Sequence, residues 1–337
     1  MNTTTFFNKE LNKAGARCSG TKNIVNQGIQ YMKILLTILI ATMATFAHAW
    51  EPTKPVTVVI AYGPGSGNEV LFRKLETIIS KTEKVKFVIE LKPGALELIG
   101  MNHFSTVAND GHTLYAPGVG TYFGTPVWYK SQLKQDPVEW ELISSLGESP
   151  IALFARNSSK VNTPADVFAE LKNGSKVDIG VGAPVFVIAY EYMFRQAKST
   201  NAQRIQYNSP AAVTQALAAG DIEFGLTPLS VGMELMKAGK IKLIGITGQG
   251  DFPNLSTQFK GLDLVAHAGL VAPKGTAPEI LAYYKRVFTS AVATDEYKEF
   301  LKSIYWYDSL KTSDNYKKFF NSQRKQWIPI AETIEFK

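Results

Sequence analysis

Pro55 to Tyr62 reads PVTVVIAY, Gly63 to Asn68 reads GPGSGN, and Glu69 to Lys81 then places Val70, Leu71, Leu75, Ile78 and Ile79 at helical spacing. A β-branched run with almost no polar interruption is what a strand buried on both faces requires. Such a strand needs helices over both faces of its sheet, which restricts the chain to α/β architectures. The pattern recurs. Lys86 to Leu91 is a second strand, followed by Pro93-Gly94-Ala95 and a helix around Leu98 to Val107. Asn109-Asp110-Gly111 turns into a strand at Thr113 to Ala116. Further on, Val177–Val181, Glu223–Thr227 and Ile241–Thr247 read as strands. Ala211–Ala219 reads as a helix closed by Gly220, and Pro278–Ala293 as an amphipathic helix. This alternation predicts mainly parallel sheets flanked by helices.

Two places suit a chain crossing between lobes. The strand Ile151–Ala155 runs into polar Arg156-Asn157-Ser158-Ser159 and a helix start at Thr163-Pro164. The strand near Ala268–Ala272 ends in Pro273-Lys274-Gly275-Thr276. The expected division is therefore residues 50–155 with 265–337 as lobe 1 and 156–264 as lobe 2. A ligand would sit between them, outside the carboxyl ends of strands.

Met32 to Ala49 reads MKILLTILIATMATFAHA. A lysine, an apolar run and Ala47-His48-Ala49 form the pattern of a secretory signal peptide cleaved before Trp50. The apolar stretch from Ile34 to Phe46 falls short of the roughly 20 residues that span a bilayer. Residues 1–31 are polar and aperiodic, so the expected translation start is Met32. Cys18, the only cysteine, lies in that segment, so the mature chain carries no disulfide and no thiolate. Lys9, Lys13, Arg17, Lys22 and Lys33 against Glu10 supply +4 of the formal net charge of +7. The modest remainder, without a basic block, argues against a nucleic-acid partner.

Two glycine-rich junctions carry the chemistry. Gly65, Ser66 and Gly67 precede a helix whose first N–H groups have no internal partner, and Pro93-Gly94-Ala95 precede another. Glycine admits close approach and the helix dipole favours an anion, so the pair describes a grip on a carboxylate that needs no arginine. Other chemistries fail on detail. Asn68 breaks G-x-G-x-x-G, no G-K-[ST] occurs, and Pro64 replaces the first glycine of G-x-S-x-G. His103, His112 and His267 have no metal-ligand spacing and read as turn or core residues, so no cofactor or metal is expected.

The ordered set of Pro55-Val-Thr-Val-Val-Ile, the loop ending Asn68-Glu69, Lys92-Pro93-Gly94-Ala95 with Ile99-Gly100, and Asn109-Asp-Gly-His-Thr-Leu114 resembles one family. Thr163-Pro-Ala-Asp166, the helix closing in Ala-Gly-Asp221, Lys237-Ala-Gly-Lys240 and Leu270-Val-Ala-Pro-Lys-Gly-Thr-Ala-Pro278 continue it. The chain is similar to the Bug family, the TctC-like solute-binding components of tripartite tricarboxylate transporters. The resemblance implies a two-lobed, type II-like periplasmic binding protein. It implies a monomer that closes on a small carboxylate and docks on a large and a small integral membrane subunit. On the family pattern Gly65, Ser66, Gly67 and Asn68 match one ligand loop and Pro93, Gly94 and Ala95 the other, with Tyr62 and Thr121 nearby. Lobe 2 departs from it: Gly182-Ala183 stand where hydroxyls are usual, and Thr227 where aspartate is frequent. Glu97 replaces a usual glycine. Facing solvent, it would be an ordinary helix-start carboxylate. Facing the cleft, it would repel a second ligand carboxylate and favour a monoacid or zwitterion. Val181, Val185, Phe186, Tyr122 and Phe123 are candidates for apolar wall.

Two other readings fit the same features: an exported α/β enzyme on a small acid, with Glu69 or Glu97 as base, and a ligand-presenting subunit for a sensor kinase. Neighbouring genes for two integral subunits separate transport from sensing. N-terminal sequencing of the exported protein is expected to begin at Trp50. A mature chain containing residues 1–31 overturns the Met32 start.

Overall fold

The computed structural model describes residues 50–248, 250–308 and 313–335. The expected N-terminal segment and leader, 1–49, lie outside the described residues. The elements run β1 (Val56–Ile60), α1 (Gly67–Ile79), β2 (Phe87–Leu91), α2 (Leu98–Phe104), β3 (Thr113–Tyr115), α3 (Thr125–Trp128), β4 (Glu141–Arg156), α4 (Pro164–Lys172) and β5 (Val177–Val181). They continue α5 (Pro184–Gln196), β6 (Ala202–Gln206), α6 (Pro210–Ala219), β7 (Phe224–Pro228), α7 (Leu229–Lys237), β8 (Ile241–Ile246), β9 (Val265–Ala272), α8 (Pro278–Val292), α9 (Asp295–Ser303) and α10 (Ser313–Ala331).

The nine strands join in the order β2-β1-β3-β9-β4-β7-β5-β6, with β8 also on β4. β1 pairs in parallel with β2 and β3, and β5 with β6 and β7. The other four pairings among the described residues are antiparallel, and each involves β4 or β9. The sheet is therefore mixed, which corrects the expectation of mainly parallel sheets. βαβ units make the parallel pairs, whereas the two long strands run against their neighbours.

β4 is the centre of this arrangement. Its residues Glu141–Pro150 pair with β9, and Ile151–Arg156 pair with β7 and β8. The expected strand Ile151–Ala155 is thus only the second half of a sixteen-residue strand. Val56, Val58, Val59 and Ile60 of β1 are fully buried, as a strand covered on both faces requires. Phe72 of α1, Phe87 of β2 and Phe288 of α8 cluster on one side of it, with centroids 5.3 to 6.0 Å apart. The last helix, α10, buries Tyr316, Phe320 and Trp327, and Tyr122 stacks on Phe320 at 3.8 Å. Tyr122 and Phe123 therefore belong to the core beneath α10 and supply no cleft wall.

Local signals act as the sequence suggests. Gly220, at φ 87°, ends α6 in a left-handed conformation that glycine adopts without strain. Thr163 opens α4 with a capping box: its hydroxyl accepts the Asp166 N–H at 3.2 Å, and the Asp166 carboxylate accepts the Thr163 N–H at 3.0 Å. Thr163→Ala removes this reciprocal pair. It should cost about 1 kcal/mol and lower the melting temperature by about 2–4 °C. Thermal unfolding followed by circular dichroism reads the change, and an unaltered midpoint would show that the box contributes nothing.

Candidate functional site

A cavity of about 300 Å³ opens at the carboxyl ends of β1, β2, β5 and β6. That is the position where open α/β sheets bind ligands, and the volume lies at the small end of such sites. One wall is Ala61, Tyr62 and the loop Gly94–Glu97; the other is Gly182–Pro184 with Arg204 and Gln206–Asn208. Two larger depressions, about 390 and 650 Å³, lie beside α10 and touch neither glycine-rich loop.

The loop after β2 is unusual backbone. Gly94 has φ 130°, and Ala95, Leu96 and Glu97 follow at 46°, 49° and 78°. Three consecutive non-glycine residues with positive φ are strained, and such strain persists only where surroundings over-determine it. Here the surroundings are identifiable. Thr125 Oγ1 donates to the Leu96 carbonyl at 2.6 Å. Glu97 takes the N-cap position of α2, but its side chain makes no cap hydrogen bond. Its carboxylate instead turns inward, where Tyr62 donates its hydroxyl to Oε1 at 2.5 Å and Thr121 donates to Oε2. Glu97 is 2% exposed, so the solvent-facing alternative does not hold.

Burial pushes the Glu97 carboxyl up to about 7, against the opposing pull of the Thr121 and Tyr62 hydrogen bonds. The neighbouring phenols of Tyr62, Tyr115 and Tyr122 are pushed above their ordinary value, chiefly by burial, and stay neutral. Across the cavity, desolvation lowers the Arg204 guanidinium somewhat, while Tyr190, Glu191 and Tyr129 raise it. It remains charged throughout the physiological range.

The loop after β1 has a different fate. The Gly65 N–H donates to Glu69 Oε2 at 2.9 Å, and Ser66 caps α1 by accepting the Glu69 N–H at 3.4 Å. Arg73 holds the other Glu69 oxygen through Nε and Nη2 at 2.9 and 2.7 Å. The anion at this helix start is the chain's own Glu69. Asn68 donates to the carbonyls of Ala116 and Pro117 at 2.9 and 3.0 Å. Ser66, Gly67 and Asn68 line a second, inner pocket of about 30 Å³, which shares Tyr62 and Ala183 with the main cavity. Trp306 closes it. A Cβ on Gly67 would lie 2.6 Å from the indole, so glycine here serves that contact.

Of the residues singled out by sequence, Tyr62, Gly94, Ala95, Glu97, Gly182 and Ala183 meet at the main cavity. Ser66, Gly67 and Asn68 meet at the inner pocket with Val185 and Phe186. Gly65 and Pro93 line neither. Thr121 is fully buried behind Glu97 and acts through it. Thr227 is buried in β7 with its hydroxyl on the Pro228 carbonyl at 3.1 Å. Val181 is core. His267 is a buried residue hydrogen-bonded to Ser145 at 2.9 Å, and desolvation pushes its imidazole down to about 3.

Sequence reasoning missed Arg204, Gln206, Tyr207 and Asn208 on the far wall. The available signal was the alternation in β6, where Ile205 packs against the core while Arg204 and Gln206 lie on the opposite face. An arginine also lines the cavity, on the wall opposite the loop expected to grip without one.

Glu97 should leave a pH signature. Its folded value lies above the ordinary 4.5, so its neutral form is the one the fold favours. The resulting stabilisation is complete below about 4.5 and is lost as pH rises through about 7, a change on the order of 3 kcal/mol. Glu97→Gln keeps the shape and cannot titrate. The wild-type melting temperature relative to Glu97→Gln should therefore fall as pH rises across that window and stay flat above it. A difference that is constant with pH would place the Glu97 carboxyl in solvent.

Residues 71–336 match the family profile described as the tripartite tricarboxylate transporter family receptor. A UPF0065 protein in the gbd 5' region of Cupriavidus necator is 26% identical over 306 residues, 88% of this chain and 92% of that protein. BugT of Bordetella pertussis is 21% identical over 301 residues, 83% of this chain and 89% of its own. Among solved structures, MatC of Rhodopseudomonas palustris with bound malate shares the fold at TM-score 0.76 and 19% identity, covering 84% of this chain and all 100% of that one. An R. palustris protein solved with adipate does so at TM-score 0.78 and 19% identity, covering 84% and 97%. The profile spans most of the sequence, and this chain belongs to the tripartite tricarboxylate transporter receptor family.

Proposed function

We propose that this chain is a periplasmic, monomeric solute receptor that captures a small organic carboxylate. It would present that ligand to the integral subunits of a tripartite tricarboxylate-type transporter. The observation that carries the reading is the cavity at the strand ends, walled on one side by the β1 and β2 loops and on the other by the β5 loop and β6, with a cationic side chain in it. Relatives solved with malate and adipate support a carboxylate as the cargo. The family of receptors supports binding without turnover. Export through a leader ending at Ala49 supplies the compartment.

The two walls belong to the proposed lobes 50–155 with 265–337 and 156–264. β4 and β9 are the connections about which they would close. In this structure the rims touch: the Gly63 N–H donates to the Asn208 carbonyl at 3.4 Å, and a Cβ on Gly63 would sit 3.3 Å from Ser209. Ligand contacts to both walls would favour this closed arrangement over an open one.

A thermal-shift screen of the exported protein against a carboxylate library tests the reading. A ligand at a hundred times its dissociation constant adds about 2.7 kcal/mol, a shift of several degrees for a protein of this size. The bound acid should be recovered chemically unchanged; its conversion would establish an enzyme. Small-angle scattering with saturating ligand should show a monomer with a reduced radius of gyration. An unchanged radius removes the hinge, and a dimer mass removes the monomer.

A further inference from the structure

The main cavity holds one cationic and one acidic side chain, on opposite walls, and they come from elements whose geometry fixes where each points. Arg204 lies on β6, in register with Ile179 of β5. Strand alternation sends Ile205 into the hydrophobic cluster around Val213 and Leu217, so Arg204 and Gln206 face the cavity together. Glu97 is held inward by three consecutive residues of positive φ, with the Tyr62 and Thr121 hydroxyls fixed on its two oxygens.

Taking the receptor reading as its basis, we propose that Arg204 and Glu97 are the two poles of one ligand subsite. Arg204 receives the ligand's carboxylate, and Glu97 receives a hydrogen-bond donor on the ligand, an ammonium or a hydroxyl. The ligand class is then a short amino acid or hydroxy acid, and simple di- and tricarboxylates are disfavoured.

Each pole has a physical reason. A guanidinium presents a planar fork that matches a carboxylate, and in a partly desolvated cavity that charge-assisted pair is stronger than in water. An ionised carboxylate offers about four lone-pair directions. Tyr62 and Thr121 occupy two of them, which leaves acceptor capacity toward the cavity that Glu97 lines. A second ligand carboxylate at this end would place two anions together away from water. Each would disfavour the charged form of the other. A ligand ammonium would do the opposite and favour the charged form of Glu97. Without a ligand, burial outweighs the two hydrogen bonds and raises that carboxyl to about 7, so the free and the liganded site differ in the charge they favour. The competing role for Glu97, a brace for the loop and nothing more, requires only an acceptor for the two hydroxyls. Glutamine keeps one acceptor oxygen, and its amide N–H can donate to the other hydroxyl, which accepts as well as donates.

The test is a matched series of acids of two, four and six carbons, each with a terminal methyl, hydroxyl, ammonium or carboxylate group. Affinities are measured by calorimetry on wild type, Glu97→Gln, Arg204→Gln and Arg204→Lys. Circular dichroism first checks that each variant folds. In wild type the tightest binder should carry a hydroxyl or ammonium and exceed the diacid of equal length at least tenfold; which of the two leads identifies the donor. Glu97→Gln should shrink that gap about tenfold. Arg204→Gln should weaken every form about tenfold or more, and Arg204→Lys should recover part of the loss by restoring the charge. A wild-type preference for the diacid overturns the proposal while leaving the receptor reading intact. So does an unchanged profile in Glu97→Gln or in Arg204→Gln. Failure of every hydroxyl and ammonium form overturns it as well. Failure of all forms at all lengths, diacids included, removes the receptor reading with it.

Discussion

The pairing of β4 is the constraint on which the rest of the molecule depends. Its first ten residues bond to β9 and its last six to β7 and β8, so one strand is shared by both halves of the sheet. Because that strand is paired along its length, with register shifts at Leu142/Ser144, Ser145/Gly147 and Leu153/Phe154, the halves are tied together along β4 and β9, while the loops at the strand ends meet at the cavity rim. The cavity therefore lies between two walls that are fixed at one edge and touching at the other. At the rim the Gly63 N–H donates to the Asn208 carbonyl at 3.4 Å, and away from it Trp306 donates to Ser230 at 2.9 Å, Arg195 to the Thr333 carbonyl at 2.9 Å and Gln326 to Asp263 at 2.8 Å.

Within the cavity, the energetics concentrate on Glu97. A buried carboxyl needs partners or a proton, and this one has two hydroxyl donors and a raised pKa. The loop that presents it is strained at three successive residues. Thr125, Thr121 and Tyr62 come from three separate segments and all bond to this one loop, which is how the strain is held. Removing any one of them would loosen the loop and the orientation of the carboxyl together.

The two glycine-rich junctions show how one sequence signature can take two roles. Both follow a parallel strand and both precede a helix. After β1 the next charged residue, Glu69, folds back on the Gly65 N–H and is neutralised by Arg73, and Trp306 covers Gly67. After β2 the acidic residue instead points across to hydroxyls on neighbouring segments and forms part of the cavity wall. The difference lies in partners far away in sequence: Trp306 in one case, Tyr62 and Thr121 in the other.

The sequence by itself determined the α/β class, most of the strands and helices, the helix start at Thr163, the stop at Gly220 and the loop from Gly94 that the structure places on a cavity wall. Those features depend on local rules: side-chain period, glycine at positive φ and hydroxyls before helices. Only the tertiary structure decided that Glu97 is buried and that the β1 loop is filled from within. The same holds for Thr227, which turns to its own chain, and for Arg204 and Gln206, which form the opposite wall. β6 is a short polar run, Ala-Gln-Arg-Ile-Gln, whose alternation is weak until Ile205 finds its core. Which side of such a strand lines the cavity depends on what packs against the other side, and that partner lies in α6, α7, β4 and β8, beyond the reach of any local pattern.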